Sequence, residues 1–312
     1  MHPNQFSSGD VIADRRADYA RMLAENGEHE AAVELMEQAL EITPAWPAGL
    51  VSLADYAVKA GTAEKAIAAL RQVLDLDPQD LFGARLKLAV LGAEDTPDAP
   101  PSAYVEALFD DYADRFDKAL VERLDYTVPA KLAALIADHD ERRFDLAVDL
   151  GCGTGLFGAE IRHKVTRLEG FDLSVNMLAK AEEKGHYDLL AKSDLSLDAV
   201  RSGLFDDGLP TRRADLVSAA DVLMYLGDLG NAFSLAADLA APGALFVFSV
   251  EDAGEGDGFV LAQSLRYAHT EAHVRTRLAE SGFEPLTLVR STIRMDGGKP
   301  VFGILFLAAR TA

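Results

Sequence analysis

Cysteine is almost missing from this chain: Cys152 is the only one in 312 residues. A single thiol excludes an internal disulfide, and alone it cannot make a structural zinc site. Tryptophan is equally scarce, with Trp46 the only one, in a helical stretch. Basic residues are outnumbered, 30 Lys and Arg against 51 Asp and Glu, for a formal net charge of −21. Divided at Pro101, the first part has 8 basic and 17 acidic residues and the second 22 and 34, so no basic domain hides behind an acidic tail. Without clustered Lys and Arg to track phosphates, neither nucleic acid nor an anionic membrane is expected as a partner. Long apolar runs are absent too. None reaches the ~18 residues of a membrane span, and MHPNQFSSGD lacks the basic-then-apolar pattern of a secretory signal. A cytoplasmic location is the expectation. What remains is an ordinary globular composition, 49% hydrophobic and 26% charged, in a length that suits two domains.

The first hundred residues repeat. Gly27 and Gly61, Ala32 and Ala66, Met36 and Leu70, Ala39 and Val73, and Pro44 and Pro78 are each 34 residues apart. Each unit reads as a helix, a Gly-containing turn, a second apolar-striped helix and a terminating Pro. Ala32 and Ala66 fall where two helices of a hairpin approach most closely, and proline cannot continue the second helix. This pattern resembles the tetratricopeptide repeat, departing from it where Arg16 and Leu50 replace the first-helix Trp. A third unit starts as LFGARLKLAVLG and stops, as a solenoid cap does. The resemblance implies a concave groove for a peptide or protein partner, and a packing or dimerisation arm is the equally simple alternative. Residues 94–101, rich in Pro and acids, read as a linker. The expected division is a helical repeat domain over 1–101 and a second domain over 102–312.

The second domain opens with YVEALFDDYADRFDKALVERLDY, in which Val105, Leu108, Phe109, Tyr112, Phe116 and Leu120 recur at helical spacing. After a further helix over PAKLAALIADH, short apolar runs alternate with helices: DLAVDL, LEGFDL, YDLLAKSDL, ADLVSAADV, ALFVFSV, PLTLVRSTIR and VFGILFLAAR. Such alternation predicts an α/β fold, a seven-stranded mostly parallel Rossmann-like sheet covered on both faces. The last two runs, joined by MDGGKP, should form an antiparallel hairpin at its edge. Ligands on these sheets bind at the carboxyl ends of the strands, near the switch point.

The most informative stretch is Asp149-Leu150-Gly151-Cys152-Gly153-Thr154-Gly155, where a strand meets a helix. Alternate glycines allow a tight turn and close approach of backbone to a ligand. Gly153, Gly155 and Gly158 also satisfy the dinucleotide pattern, with Asp172 at a distance that suits a ribose, so a nicotinamide-dependent oxidoreductase is a competing reading. Asp149 before the first glycine favours instead a ligand with a cationic end, and Asp194 is available for an adenine amino group.

DLGCGTG, GFDLSVNMLAKA, SDL and AADVLMYLGDL resemble the class I S-adenosylmethionine-dependent methyltransferases, in the small-molecule group that includes quinone-biosynthesis enzymes. With the repeats, the layout is similar to that of bacterial tetratricopeptide-containing methyltransferases. The resemblance implies S-adenosylmethionine as cofactor, S-adenosylhomocysteine as product and methyl transfer to O, N or C of a small molecule. It implies that Asp149, Gly151, Cys152, Gly153 and Gly155 form the methionine end of the site, that Asp172 and Leu173 bind the ribose with Met177 packing nearby, and that Asp194 and Leu195 hold the adenine. Asp221 would sit beside the sulfonium and the acceptor. No NPPY-like motif follows the fourth strand, against methylation of nucleobase or glutamine amines. Cys152 has no His partner placed by the sequence, against a catalytic thiol. No metal is expected. By position, Tyr104, Tyr112, Tyr225, Arg266, Tyr267 and His269 are the expected lining of the acceptor pocket, with His269 as general base and Arg290 or Arg294 assisting from the terminal hairpin. A non-catalytic repeat scaffold that merely binds the cofactor is the remaining alternative.

Overall fold

The computed structural model describes residues 7–117 and 126–311, and the chain divides into two compact units, Met1–Ala107 and Leu108–Ala312. The division falls inside one helix, Ser102–Tyr112. The final part of the apolar stripe expected over 105–120, including Leu120, lies outside the described residues.

In the first unit, helices Val11–Glu25, His29–Ile42, Pro47–Lys59 and Ala63–Leu76 form two hairpins. The positions that recur every 34 residues are those that pack. Met36, Ala39, Ala66, Leu70 and Val73 are buried in one core, Ala32 is buried as well, and Gly27 and Gly61 take positive φ at the hairpin turns. Where the family carries Trp, the guanidinium of Arg16 donates to the Gln38 carbonyl at 2.6 Å, and so ties the first helix to the second. The shortened third unit contributes the helix Ala84–Val90. Buried Asp80 caps it by accepting from the Ala84 and Arg85 amides.

The second unit is built on one sheet. Strands β1 (Phe144–Leu150), β2 (Val165–Asp172), β3 (Leu189–Lys192), β4 (Ala214–Ala219) and β5 (Ala240–Asp252) run parallel in the order β3-β2-β1-β4-β5. β8 (Phe283–Asp296) and β9 (Lys299–Arg310) form the expected hairpin, with β9 antiparallel to β5. Its two-residue turn, Gly297-Gly298, has φ of 54° and 77°, the mirror-image turn that matches strand twist. Among the described residues the sheet has nine strands rather than seven. β6 (Phe259–Leu261) and β7 (Tyr267–His269) form a small ribbon that continues the end of β5. Those two short strands had no periodicity of their own to betray them. Buried Phe233, Phe246, Phe248 and Phe306 fill one side of the sheet. The winding order reverses at β1 and β4, with β2 and β3 added on one side and β5 on the other, so the crevice at their carboxyl ends is the switch point. Among the described residues no helix is long and apolar enough to cross a membrane.

Candidate active site

At the end of β1 the chain turns through Gly151, Gly153 and Gly155, with φ of 65°, 53° and 85°. At Gly153 the need for glycine is conformational, its φ being 53°. A Cβ there would stand in open space whose first boundary is the Phe116 ring, 3.9 Å away. The loop is tied to β2 by the Cys152 amide, which donates to the Phe171 carbonyl. It is tied again by Asp172, whose two oxygens accept from the Gly153 amide at 2.8 Å and the Ser174 amide at 2.9 Å. Burial pushes the Asp172 pKa up to about 6 against those bonds, with Asp110 adding to the rise. A carboxylate has about four acceptor sites, so half-buried Asp172 keeps acceptor capacity for a ligand's hydroxyl.

Asp149 corrects the expectation made of it. It is 1% exposed, and its oxygens accept from Tyr187 Oη and Ser218 Oγ, both at 2.7 Å. Burial raises its pKa to about 6. The carboxylate thus braces the loop from beneath and does not present itself to a ligand. Tyr187, which sequence reasoning missed, is the strut of this region. Its ring lies so close to Gly158 that a Cβ there would come within 2.5 Å of it, and a Cβ at Gly155 or Gly170 would come within 2.9 or 2.8 Å. The third glycine of the dinucleotide-like pattern therefore serves packing. Cys152 is buried, and burial drives its thiol well above the ordinary range, so no thiolate forms.

Ser174 caps the helix Val175–Lys184 and buries Met177 beneath it. Leu173 is half-buried between Asp172 and this cap. After β3, one Asp194 oxygen accepts from the Ser196 amide and hydroxyl, while buried Leu195 backs the same turn.

Asp221 follows β4 at φ 55°, an uncommon conformation for a non-glycine residue. Its amide donates to Ser249 Oγ, and both its carboxylate oxygens accept from Arg294 Nη1, at 2.8 and 2.9 Å. Arg294, 2% exposed, also reaches Glu251. Glu251 lies 3.9 Å from Arg266, which pairs with Asp296 at 3.1 Å. Burial raises the Asp221 pKa, opposed by Arg294 and Arg266. Adjacent Val222 fills the space beside Gly151, where a Cβ would stand 2.3 Å from it. The ionic chain therefore fixes a turn that seats directly on the glycine loop.

Several expected lining residues sit elsewhere. His269 is 0% exposed, its ring nitrogens against the Leu223 and Leu226 carbonyls without a well-formed hydrogen bond, and its ring stacked on His273. Burial, then His273, lowers its pKa to about 4. A sealed, weakly basic imidazole cannot serve as the general base. Tyr267 is wholly buried in β7. Tyr104 lies in the first unit with its ring on Gly83, and Arg266 is consumed by carboxylates. Arg290 pairs with Asp252 and Glu271. Tyr112 stacks edge-on to Phe116 with Arg115 over its ring, and Tyr225 packs edge-on to Phe109 at 5.0 Å. The residue missed here is Tyr126. Its segment is tied to β8 by the Thr127 amide and the Ile293 carbonyl, and its phenol feels Asp221, Arg294, Asp149 and Tyr225. No described group of His, Cys, Asp and Glu is arranged to hold a metal.

These features define a methyltransferase. The methyltransferase-domain family matches residues 120–286, over half of the chain, and the chain belongs to that family. The tetratricopeptide repeat matches residues 15–45 and 48–80, so this methyltransferase carries an N-terminal repeat unit. The match decides between the two readings of the glycine loop, against the oxidoreductase. Among solved structures, 1,6-didemethyltoxoflavin-N1-methyltransferase from Burkholderia thailandensis is 20% identical over 70% of this chain and 94% of its own, with a TM-score of 0.51. A chain of the Haloferax volcanii complex containing the Trm112 methyltransferase activator is 20% identical over 65% of this chain and 98% of its own, again at 0.51. At that identity the likeness is one of fold. No curated protein matches the chain.

Proposed function

We propose that the second unit binds S-adenosylmethionine at the glycine loop and transfers its methyl group to O, N or C of a small molecule. The observation that carries this reading is the pairing of an open, positive-φ glycine turn with Asp172, whose half-buried carboxylate is anchored by backbone amides beside it. Backbone at Gly151, Gly153 and Gly155 would approach the methionine portion, Asp172 would accept the ribose hydroxyls, and Asp194 with the Leu195 backbone would meet the adenine edge, Met177 packing below. Bound S-adenosylmethionine would supply an electrophilic methyl, displaced in line by an acceptor lone pair while the S–C electron pair stays on sulfur. The chain's work is then alignment and exclusion of water. With His269 sealed and Asp221 clamped by Arg294, no free carboxylate or imidazole of the expected set serves as base. An acceptor that arrives with an available lone pair suits this site.

The repeat unit is read as a surface for a protein partner or a second copy. Calorimetry on the full chain with S-adenosylmethionine, S-adenosylhomocysteine and NAD tests the cofactor. Binding of the first two without NAD is expected; NAD binding without S-adenosylhomocysteine binding would refute the reading.

A further inference from the structure

The helix Val11–Glu25 buries Ala13, Ala20 and Ala24 and turns a different stripe outward. Ile12, Arg15, Tyr19 and Met22 follow one another at spacings of three, four and three residues, the seam along which two helices pair. Ile12, Tyr19 and Met22 are 58%, 62% and 52% exposed. Single exposed apolar residues are ordinary, but three in line on one helix make a patch. The repeat says what kind of patch it is. Thirty-four residues on, the same positions are Trp46, Gly49, Leu53 and Tyr56. Trp46 and Leu53 are buried in the core that contains Met36, Ala39 and Leu40 of the preceding hairpin, and Tyr56 packs against it. In the second repeat these positions are the face that stacks on the repeat before. In the first repeat the same face is built and left exposed, although stacked repeats end in polar faces when nothing is to cover them. Charge interrupts the stripe at one place, Arg15 and its neighbour Asp18. Asp18 meets Arg21 at 3.4 Å with both side chains more than half exposed, a contact that contributes little and yields readily to a better one.

We propose that this face pairs with the same face of a second copy of the chain, two Val11–Glu25 helices lying antiparallel about a two-fold axis at the level of Ala17. The inference deepens the reading of the repeat unit as a docking surface by naming the face and its occupant. Antiparallel pairing in that register sets Ile12 against the partner's Met22, and Arg15 against the partner's Tyr19 beside the partner's Asp18. Each guanidinium then meets a carboxylate and an aromatic face, and the two-fold axis makes the contact twice. Parallel pairing would instead bring Arg15 against the partner's Arg15, like charges in contact. The stripe is thus its own complement in one orientation, which is what selects a second copy as occupant. One helix pair is a small interface of the weak class, so a dissociation constant of roughly 1–100 μM is expected.

The test is analytical ultracentrifugation of the full chain from about 1 to 500 μM, a range that brackets the weak class, with thermal unfolding to verify that each variant is folded. A reversible monomer–dimer equilibrium is expected for the wild type, and Y19S should weaken it about tenfold or more. R15D and D18R each place like charges across the axis and should weaken it about five- to fiftyfold. The double variant R15D/D18R restores opposite charges in exchanged order and should return to within about threefold of the wild type. A dimer that Y19S leaves unchanged, or a double variant no tighter than the single ones, overturns this face while leaving the repeat unit as a docking surface. A chain that stays monomeric throughout overturns both this face and a second copy as the occupant of the repeat unit.

Discussion

Asp172 offers the most direct quantitative test of the cofactor site. Its carboxylate accepts from the Gly153 and Ser174 amides and titrates at about 6, because burial outweighs those two bonds. Only the ionised form keeps its full acceptor capacity for ribose hydroxyls. At pH 7.5 nearly all of it is ionised, and at pH 5 roughly one part in eleven is. S-adenosylhomocysteine binding should therefore weaken about tenfold over that interval, with proton release on binding near pH 5 and almost none at pH 7.5. In D172N, one amide loses its acceptor and the new NH2 group faces donors. Two charge-assisted bonds of ~1.5–3 kcal/mol each are removed, so affinity at pH 7.5 should fall about a hundredfold or more. The residual pH slope should largely vanish. Asp149 also titrates at about 6, but it is engaged by Tyr187 and Ser218 and is unchanged in the variant, so it serves as an internal control. Calorimetry at four pH values on both proteins is sufficient. A wild-type affinity flat from pH 7.5 to 5, or a slope that survives in D172N, would refute the assignment.

Three further outcomes follow from the same contacts. Tyr187→Phe removes one of the two donors to buried Asp149 and should cost about 1–3 kcal/mol in urea unfolding; no loss of stability would mean that the strut is not needed. Replacing Arg294 by Met strands Asp221 and Glu251, and should destabilise the fold by about 3–5 kcal/mol at neutral pH, more than the corresponding change at exposed Arg275. His269 has a folded pKa of about 4 against an ordinary 6.5, so its neutral burial stabilises the fold fully above 6.5, and that contribution is lost as pH falls toward 4. Relative to wild type, His269→Phe should gain up to about 3 kcal/mol between pH 7 and 4; urea midpoints that move in parallel would count against it. Asp149 and Asp172 act in the opposite sense, since their raised values contribute stability that is present below about 4 and lost as pH rises through 6.

Much of this molecule is written in local pattern. A 34-residue recurrence of small and large apolar residues determines helical hairpins, because each side chain meets the same neighbour in every unit. Apolar runs alternating with helices determine a parallel sheet, because only covered strands can be apolar on both faces. Glycine at 151, 153 and 155 after a strand determines a tight turn, because that backbone has positive φ. Tertiary structure decided which way each polar group points. Asp149 and Asp172 look equivalent along the chain, yet one lies beneath the loop against Tyr187 and Ser218, and the other beside it with acceptor sites to spare. His269 resembled a base by position, but the small ribbon that joins the end of β5 buries it. Tyr187 and the clamp of Arg294 on Asp221 arise only because distant segments converge, and no spacing within the chain records that meeting.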